Sequence, residues 1–193
     1  MRAIILTLVC LLSSLPLMGQ ADDNSSIEPL PKFYVGVGAG VNSFTGILGL
    51  SGTINVTDHV ALRGAAGIGA WGYRFTFGIN GHKDYRRGWN YGLSYSYYSG
   101  IADMKLDMEV NSGDKEKVTL DYLPTGTINF TLARSWRLGR KNSFYLETGY
   151  AKAIQNKPWK VSSGQILSPT SNQVMNIVRP GGLMFGVGFT FGL

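Results

Sequence analysis

Cysteine, charge and long apolar runs are all scarce in this chain. One cysteine, Cys10, occurs among 193 residues, so no disulfide can form within the chain. Charged residues make up 16% and aromatics 12%. That is below the roughly 25% charge of a soluble domain, and a disordered chain would carry more charge and fewer aromatics. The two histidines, His59 and His82, leave little material for a metal cluster or a general base. Beyond the first twenty residues nothing approaches the roughly 20 apolar residues of a spanning helix. What the chain has in excess is glycine, 26 residues, about twice the usual share of roughly 7%. Glycine costs a helix about 1 kcal/mol per position, which argues against a helical bundle.

The start of the chain reads as an address. Arg2 is followed by an apolar run from Ile4 to Met18 and by Gly19-Gln20-Ala21, small residues at the positions a signal peptidase reads. Residues 1–21 are therefore expected to be a secretory signal peptide cleaved after Ala21. Cys10 lies inside it, behind Val9 rather than the small residue that precedes a lipidated cysteine. Residues 22–32, polar and carrying Pro29 and Pro31, read as a flexible periplasmic tail, leaving 33–193 as the folded domain.

That domain alternates with period two, the signature of strands with one apolar face. Phe33, Val35, Val37, Ala39 and Val41 alternate with Tyr34, Gly36, Gly38 and Gly40. The same pattern marks strands over 48–56, 60–69, 89–97, 102–110, 118–132, 144–151 and 183–193, eight in all. Short connections fall near Asp58, Gly100 and Arg140. The others run over Asn42–Gly46, Phe77–Arg86, Asn111–Lys117 and the irregular Gln155–Arg179.

Alternation alone does not say which face points inward. A soluble lipocalin-type barrel would carry charges outside; a membrane barrel is the reverse. The polar faces here are mostly Gly, Ala, Ser, Thr and Asn, which suit a crowded interior better than a wet exterior. The apolar faces carry Trp89, Tyr97 and Trp136 near their ends, as expected of interface aromatics. A closed barrel also satisfies every backbone group internally, the condition for crossing lipid. The expected fold class is all-β, an eight-stranded antiparallel up-and-down transmembrane β-barrel.

Three segments carry a family resemblance: Phe33-Tyr-Val-Gly-Val-Gly-Ala-Gly40, Asn55-Val-Thr-Asp-His-Val-Ala-Leu-Arg63 and Phe185-Gly-Val-Gly-Phe-Thr-Phe-Gly-Leu193. With these, residues 33–193 resemble the small outer-membrane β-barrels of Gram-negative bacteria, of the OmpA/OmpX-like type. The resemblance implies localisation in the cell outer membrane and a last strand read by the barrel-assembly machinery, although the chain ends in Leu193 rather than Phe. The expected orientation puts the Asp58, Gly100 and Arg140 turns in the periplasm. The loops at Asn42–Gly46, His82, Asn111–Lys117 and Gln155–Arg179 then face outward.

An eight-stranded barrel is just wide enough for side chains to fill. Arg63 and Glu147 fall at similar height on opposite strands and are expected to pair across the lumen, with Asp103 and Lys105 completing a charge network, because a buried ion is costly unpaired. Lys83, Arg86 and Arg87, beside Tyr85 and Trp89, are candidate lipopolysaccharide contacts, the alternative being a solvated loop. Arg134, Arg137, Arg140, Lys141 and Trp136 mark the periplasmic rim, where long basic side chains snorkel. Neither histidine stands in the His-x-Ser arrangement of lipid A deacylases. Gly36-Val-Gly-Ala-Gly40 lacks the helix that a phosphate loop requires. No catalytic residue, metal or cofactor is expected. The net charge of +6 fits anionic lipid rather than nucleic acid, and the expected partners are outer-membrane lipid and lipopolysaccharide around a monomer. The function expected is non-enzymatic, an envelope-structural or surface-interaction role. The alternative is a narrow porin-like channel or a lipid A-modifying enzyme.

Overall fold

The computed structural model describes residues 31–193; the expected signal peptide and most of the tail lie outside the described residues. Strands β1 (Phe33–Val41), β2 (Leu48–Asn55), β3 (Val60–Gly69), β4 (Gly72–His82) and β5 (Gly88–Tyr98) pair in sequence. The chain then leaves for β6 (Ile101–Glu109) and β7 (Lys115–Tyr122) and returns as β8 (Thr125–Leu138) and β9 (Asn142–Ala153). It leaves again through β10 (Trp159–Val161) and helix α1 (Pro169–Val178), and closes with β11 (Gly182–Gly192). β11 pairs with β1, Phe189 opposite Val37, so β1-β11-β9-β8-β5-β4-β3-β2 is a closed antiparallel barrel.

The barrel has eight strands, but not the eight expected. Phe77–Arg86 is not a loop from its first residue, because β4 runs through to His82. Tyr73, Phe75, Phe77 and Ile79 point outward there, while Arg74, Thr76 and Asn80 point in. Conversely, 102–110 and 118–122 do not belong to the barrel. They form β6 and β7 of a separate three-stranded sheet with β10. Their alternation is real, but the apolar face covers a small protein core instead of lipid. Met108, Val110, Val118, Leu120, Tyr122, Trp159, Leu167 and Met175 are buried together. A period-two pattern reports one greasy face and not what touches it.

Adding β4 and removing β6 swaps the ends of the connections. The 83–87 connection lies at the same end as 56–59, 139–141 and the two ends of the described chain, hereafter the terminal end. The Gly100 turn lies at the opposite end, with 42–47, 70–71 and 154–181, which corrects the expected grouping.

The β6-β7-β10 sheet and α1 form a cap on that opposite end. Trp71, in the two-residue β3–β4 turn, stacks on Tyr122 with ring centroids 3.9 Å apart and ties the cap to the rim. Gly100 turns at φ +78, and a Cβ there would lie 2.2 Å from Tyr122 O, so only glycine fits. The stretch read as irregular over 155–179 holds α1. Ser168 caps it by accepting from Ser171 N at 3.1 Å, and Pro169 opens its first turn.

The barrel's outer surface is apolar all round: Leu50 is 68% exposed, Phe77 69%, Tyr91 63% and Leu183 64%. Among the described residues no helix is long and apolar enough to cross a membrane, which says nothing of strands.

Candidate functional site: a lumen filled from both ends

The inward faces build the site. At the cap end the 42–47 connection folds into the barrel rather than over it. Asn42 turns the chain at φ +51, and its Nδ2 donates to Gly181 O at 2.8 Å. Ser43, Phe44 and Thr45 then enter the lumen, each 2% exposed. The Phe44 N–H donates to Glu147 Oε1 at 2.9 Å, and the other carboxylate oxygen accepts from Arg63 Nη1 at 3.4 Å. The Arg63 guanidinium lies 4.1 Å from the Phe44 ring centroid. One carboxylate therefore holds both the inserted backbone and the cation beneath the inserted ring.

Glycine makes the room. A Cβ at Gly67 would sit 2.1 Å from Thr45 O, and one at Gly38 would sit 2.6 Å from the Tyr145 hydroxyl and 2.7 Å from Thr45 Oγ1. The bare faces of β1 and β3 thus match an object that occupies the lumen.

At the terminal end the 83–87 connection supplies the second plug. Tyr85 is 5% exposed, shares a hydrogen bond with Thr53 Oγ1 at 3.0 Å, and packs its ring 4.9 Å from that of Tyr34. Arg86 fixes the loop: its Nη1 donates to Arg140 O at 2.8 Å, and its backbone N donates to Asp84 Oδ1 at 2.9 Å. Between the plugs, Arg63, Asn80, Tyr85, Asn90 and Tyr145 surround a cavity of about 10 Å³, roughly the room one water needs. With its amide turned to suit both neighbours, Asn80 accepts from Arg63 Nη1 at 3.2 Å.

A second polar layer lies toward the cap. Arg74, 1% exposed, has no carboxylate within 4.0 Å among the described residues. Its Nη2 donates to Ser96 Oγ at 2.9 Å and its Nε to Thr76 Oγ1 at 3.3 Å, with the guanidinium 5.0 Å from the Tyr98 ring. Asn129 Nδ2 donates to Ser96 Oγ at 2.8 Å and to Ser94 Oγ at 3.2 Å. These serines therefore face an amide and a guanidinium, not a base.

Of the expected lumen network, the structure brings together Arg63 and Glu147 only. Asp103 sits at a bulge in β6 with φ +55, where its N–H donates to Asp121 Oδ1 at 2.9 Å. Lys105 lies opposite Thr119 on the same sheet. Both belong to the cap, because the strand that carries them is not a barrel strand. Lys83 and Arg87 are exposed and Arg86 is buried, all at the terminal end, opposite the 42–47 and 154–181 connections with which they were expected to face outward. The histidines also share an end: His82 N donates to His59 O at 2.9 Å, and His82 is 2% exposed beneath Tyr85. Among the described residues no group of three or more His, Cys, Asp or Glu could hold a metal ion. Trp89 (54% exposed), Tyr97 (40%) and the half-buried Trp136 stand on the outer surface, Trp136 packing 5.8 Å from the Phe144 ring.

Sequence reasoning missed Phe44, Tyr85 and Arg74. Arg74 had a signal, the alternation of Tyr73, Phe75, Phe77 and Ile79 around it. The two plugs had none, since an aromatic residue in a loop looks the same whether it points to solvent or into a barrel. In the cap, the Asp121 carboxyl is held below its ordinary range, first by the hydrogen bond from the Ser162 hydroxyl and then by the Asp103 N–H.

No protein-family model matches the chain, and no curated protein matches it. Among solved structures it is similar to the crystal structure of CarO from Acinetobacter baumannii, at 10% identity over 85% of this chain and 98% of that one, with a TM-score of 0.45. It is also similar to the NanC porin, at 12% identity over 83% of this chain and all (100%) of that one, with a TM-score of 0.28.

Proposed function

We propose that the chain is a non-enzymatic outer-membrane barrel of the small OmpA/OmpX-like kind, closed to solutes, whose cap presents a folded surface at the cell exterior. The observation that carries this reading is an apolar belt around the whole barrel enclosing a polar lumen filled by Phe44 and Tyr85. An exposed apolar surface that wraps the whole circumference of a closed barrel fits a lipid surround. The barrel strands of 8 to 14 residues bracket the roughly 9–11 needed to cross tilted. The terminal end faces the periplasm, where an exported chain begins and an even strand number returns it. The cap then lies outside.

A narrow channel would require Phe44 or Tyr85 to leave. Lipid A chemistry would require a nucleophile beside a base, and among the described residues neither histidine side chain is hydrogen-bonded to a serine. The test is insertion followed by conductance. The folded chain should enter phosphatidylcholine vesicles and remain electrically silent in planar bilayers. Stepwise conductance would overturn the closed-lumen reading, and a monodisperse detergent-free species would overturn the membrane reading.

A further inference from the structure

We infer that the terminal end carries a binding site for the phosphate of an anionic glycerophospholipid, centred on Arg134 and resting on the membrane reading above. Arg134 lies on β8 in the outward row that continues Phe130 and Leu132 of the apolar belt. It stands opposite Trp89 of β5 and Leu146 of β9. Its guanidinium is 5.3 Å from the Trp89 ring centroid. No carboxylate lies within 4.0 Å of it among the described residues. A guanidinium held over an indole still has N–H groups to offer an anion. Trp89 and Trp136, the latter packed against Phe144, place this edge at headgroup depth, where amphipathic rings settle.

The surroundings reinforce it. Lys83, Arg87 and Lys141, in the connections of the same end, and Arg137, at the end of β8, are exposed. Of the two acidic side chains in the connections there among the described residues, Asp84 is taken up by Arg86, with its Oδ1 accepting from the backbone and lying 3.6 Å from Nε. That leaves Asp58. The cap end shows no such excess, for Asp107 faces Lys117 and Glu109 faces Lys115 across β6 and β7. The basic collar is one-sided, and its central member is reached from the bilayer side of the barrel rather than along its axis. A laterally diffusing lipid meets Arg134 directly; a glycan strand or protein docking on the end would meet the turns instead.

The experiment separates this proposal from the membrane reading. The mature chain is first inserted into phosphatidylcholine vesicles, and failure to insert would sink the membrane reading itself. Brominated phosphatidylglycerol is then titrated in and tryptophan quenching compared with that from brominated phosphatidylcholine at the same fraction. Phosphatidylglycerol is expected to bind about fivefold more tightly. Arg134→Gln should bring the ratio near one, and Arg134→Lys should leave an intermediate ratio, because the ammonium keeps the charge but not the fork. Arg179→Gln, at the cap end, should leave it unchanged. Equal quenching by the two lipids, or a preference that survives Arg134→Gln, would overturn the proposal. So would stronger binding of lipid A or equal competition by inorganic phosphate.

Discussion

The Glu147 carboxylate is the residue on which the interior turns. It accepts from Phe44 N and from Arg63 Nη1 while almost wholly buried. Removing its charge leaves the buried guanidinium uncompensated, a loss of about 3–5 kcal/mol for a broken buried pair. Glu147→Gln should therefore lower the unfolding free energy of the vesicle-inserted barrel by that amount, seen as a lower urea midpoint in the gel shift between folded and unfolded bands. An unchanged midpoint would mean the pair does not hold the lumen. A finer test concerns the inserted loop. Gly67 leaves no space for a Cβ beside Thr45 O, so Gly67→Ala should push the loop outward at about 1–3 kcal/mol. A Ser43→Cys reporter, buried in the parent, should react with a water-soluble maleimide at least about tenfold faster in the Gly67→Ala background. Equal labelling rates would show that the loop is not held by that contact.

At the scale of elements, the cap owes its edge geometry to one carboxylate. Asp121 accepts from the Asp103 N–H across the β6 bulge and from the Ser162 hydroxyl of the turn after β10. Its folded-state value is depressed, so the contribution is present above the unfolded value near about 3.9 and fades as pH falls through the folded value. Amide exchange at Asp103, normalised for intrinsic rate, should accelerate in that acid window and stay flat with pH in Asp121→Asn. These elements also mark where sequence reading stopped. β1, β2, β3, β9 and β11 were legible because each sets large apolar positions against a row of small or polar ones, a contrast that holds whatever the neighbours are. β4 was lost because 77–86 was read as a connection, whereas Gly78 within it makes room for a neighbouring strand: a Cβ there would lie 2.4 Å from Ser94 Cβ. β6 was misplaced although Asp103, Lys105, Asp107 and Glu109 all fall on its polar face, too many charges for the interior of an eight-stranded barrel. Arg63 and Glu147 were legible as a pair because buried charges in a narrow lumen have few alternatives. Phe44 and Tyr85 depended on loop conformation, which no periodicity encodes.

At the scale of the whole molecule, two surfaces of opposite character share one sheet, and each can be tested by placing charge where it does not belong. Among the described residues the interior holds Arg63 and Arg74 against Glu147 alone, so an opened lumen would favour anions. Phe44→Gly with Tyr85→Gly should give small conductance steps whose reversal potential in a KCl gradient shifts toward chloride, where the parent is silent; cation selectivity would contradict the interior charge balance. The exterior test is sharper. Phe77 sits midway along β4, 69% exposed, opposite Gly64 on β3 and Tyr95 on β5. If lipid covers that face, Phe77→Arg places a guanidinium near the bilayer midplane and should cost about 2–4 kcal/mol of stability in vesicles. If water covers it, the same substitution removes an exposed ring and adds solubility, leaving stability unchanged or higher. Thr76→Val, one residue along and facing inward, is the matched control: it breaks the hydroxyl contact with Ser96 and should cost about 1 kcal/mol in either environment. A Phe77→Arg barrel that folds into vesicles as well as the parent would therefore remove lipid from the outer face, whatever the interior holds.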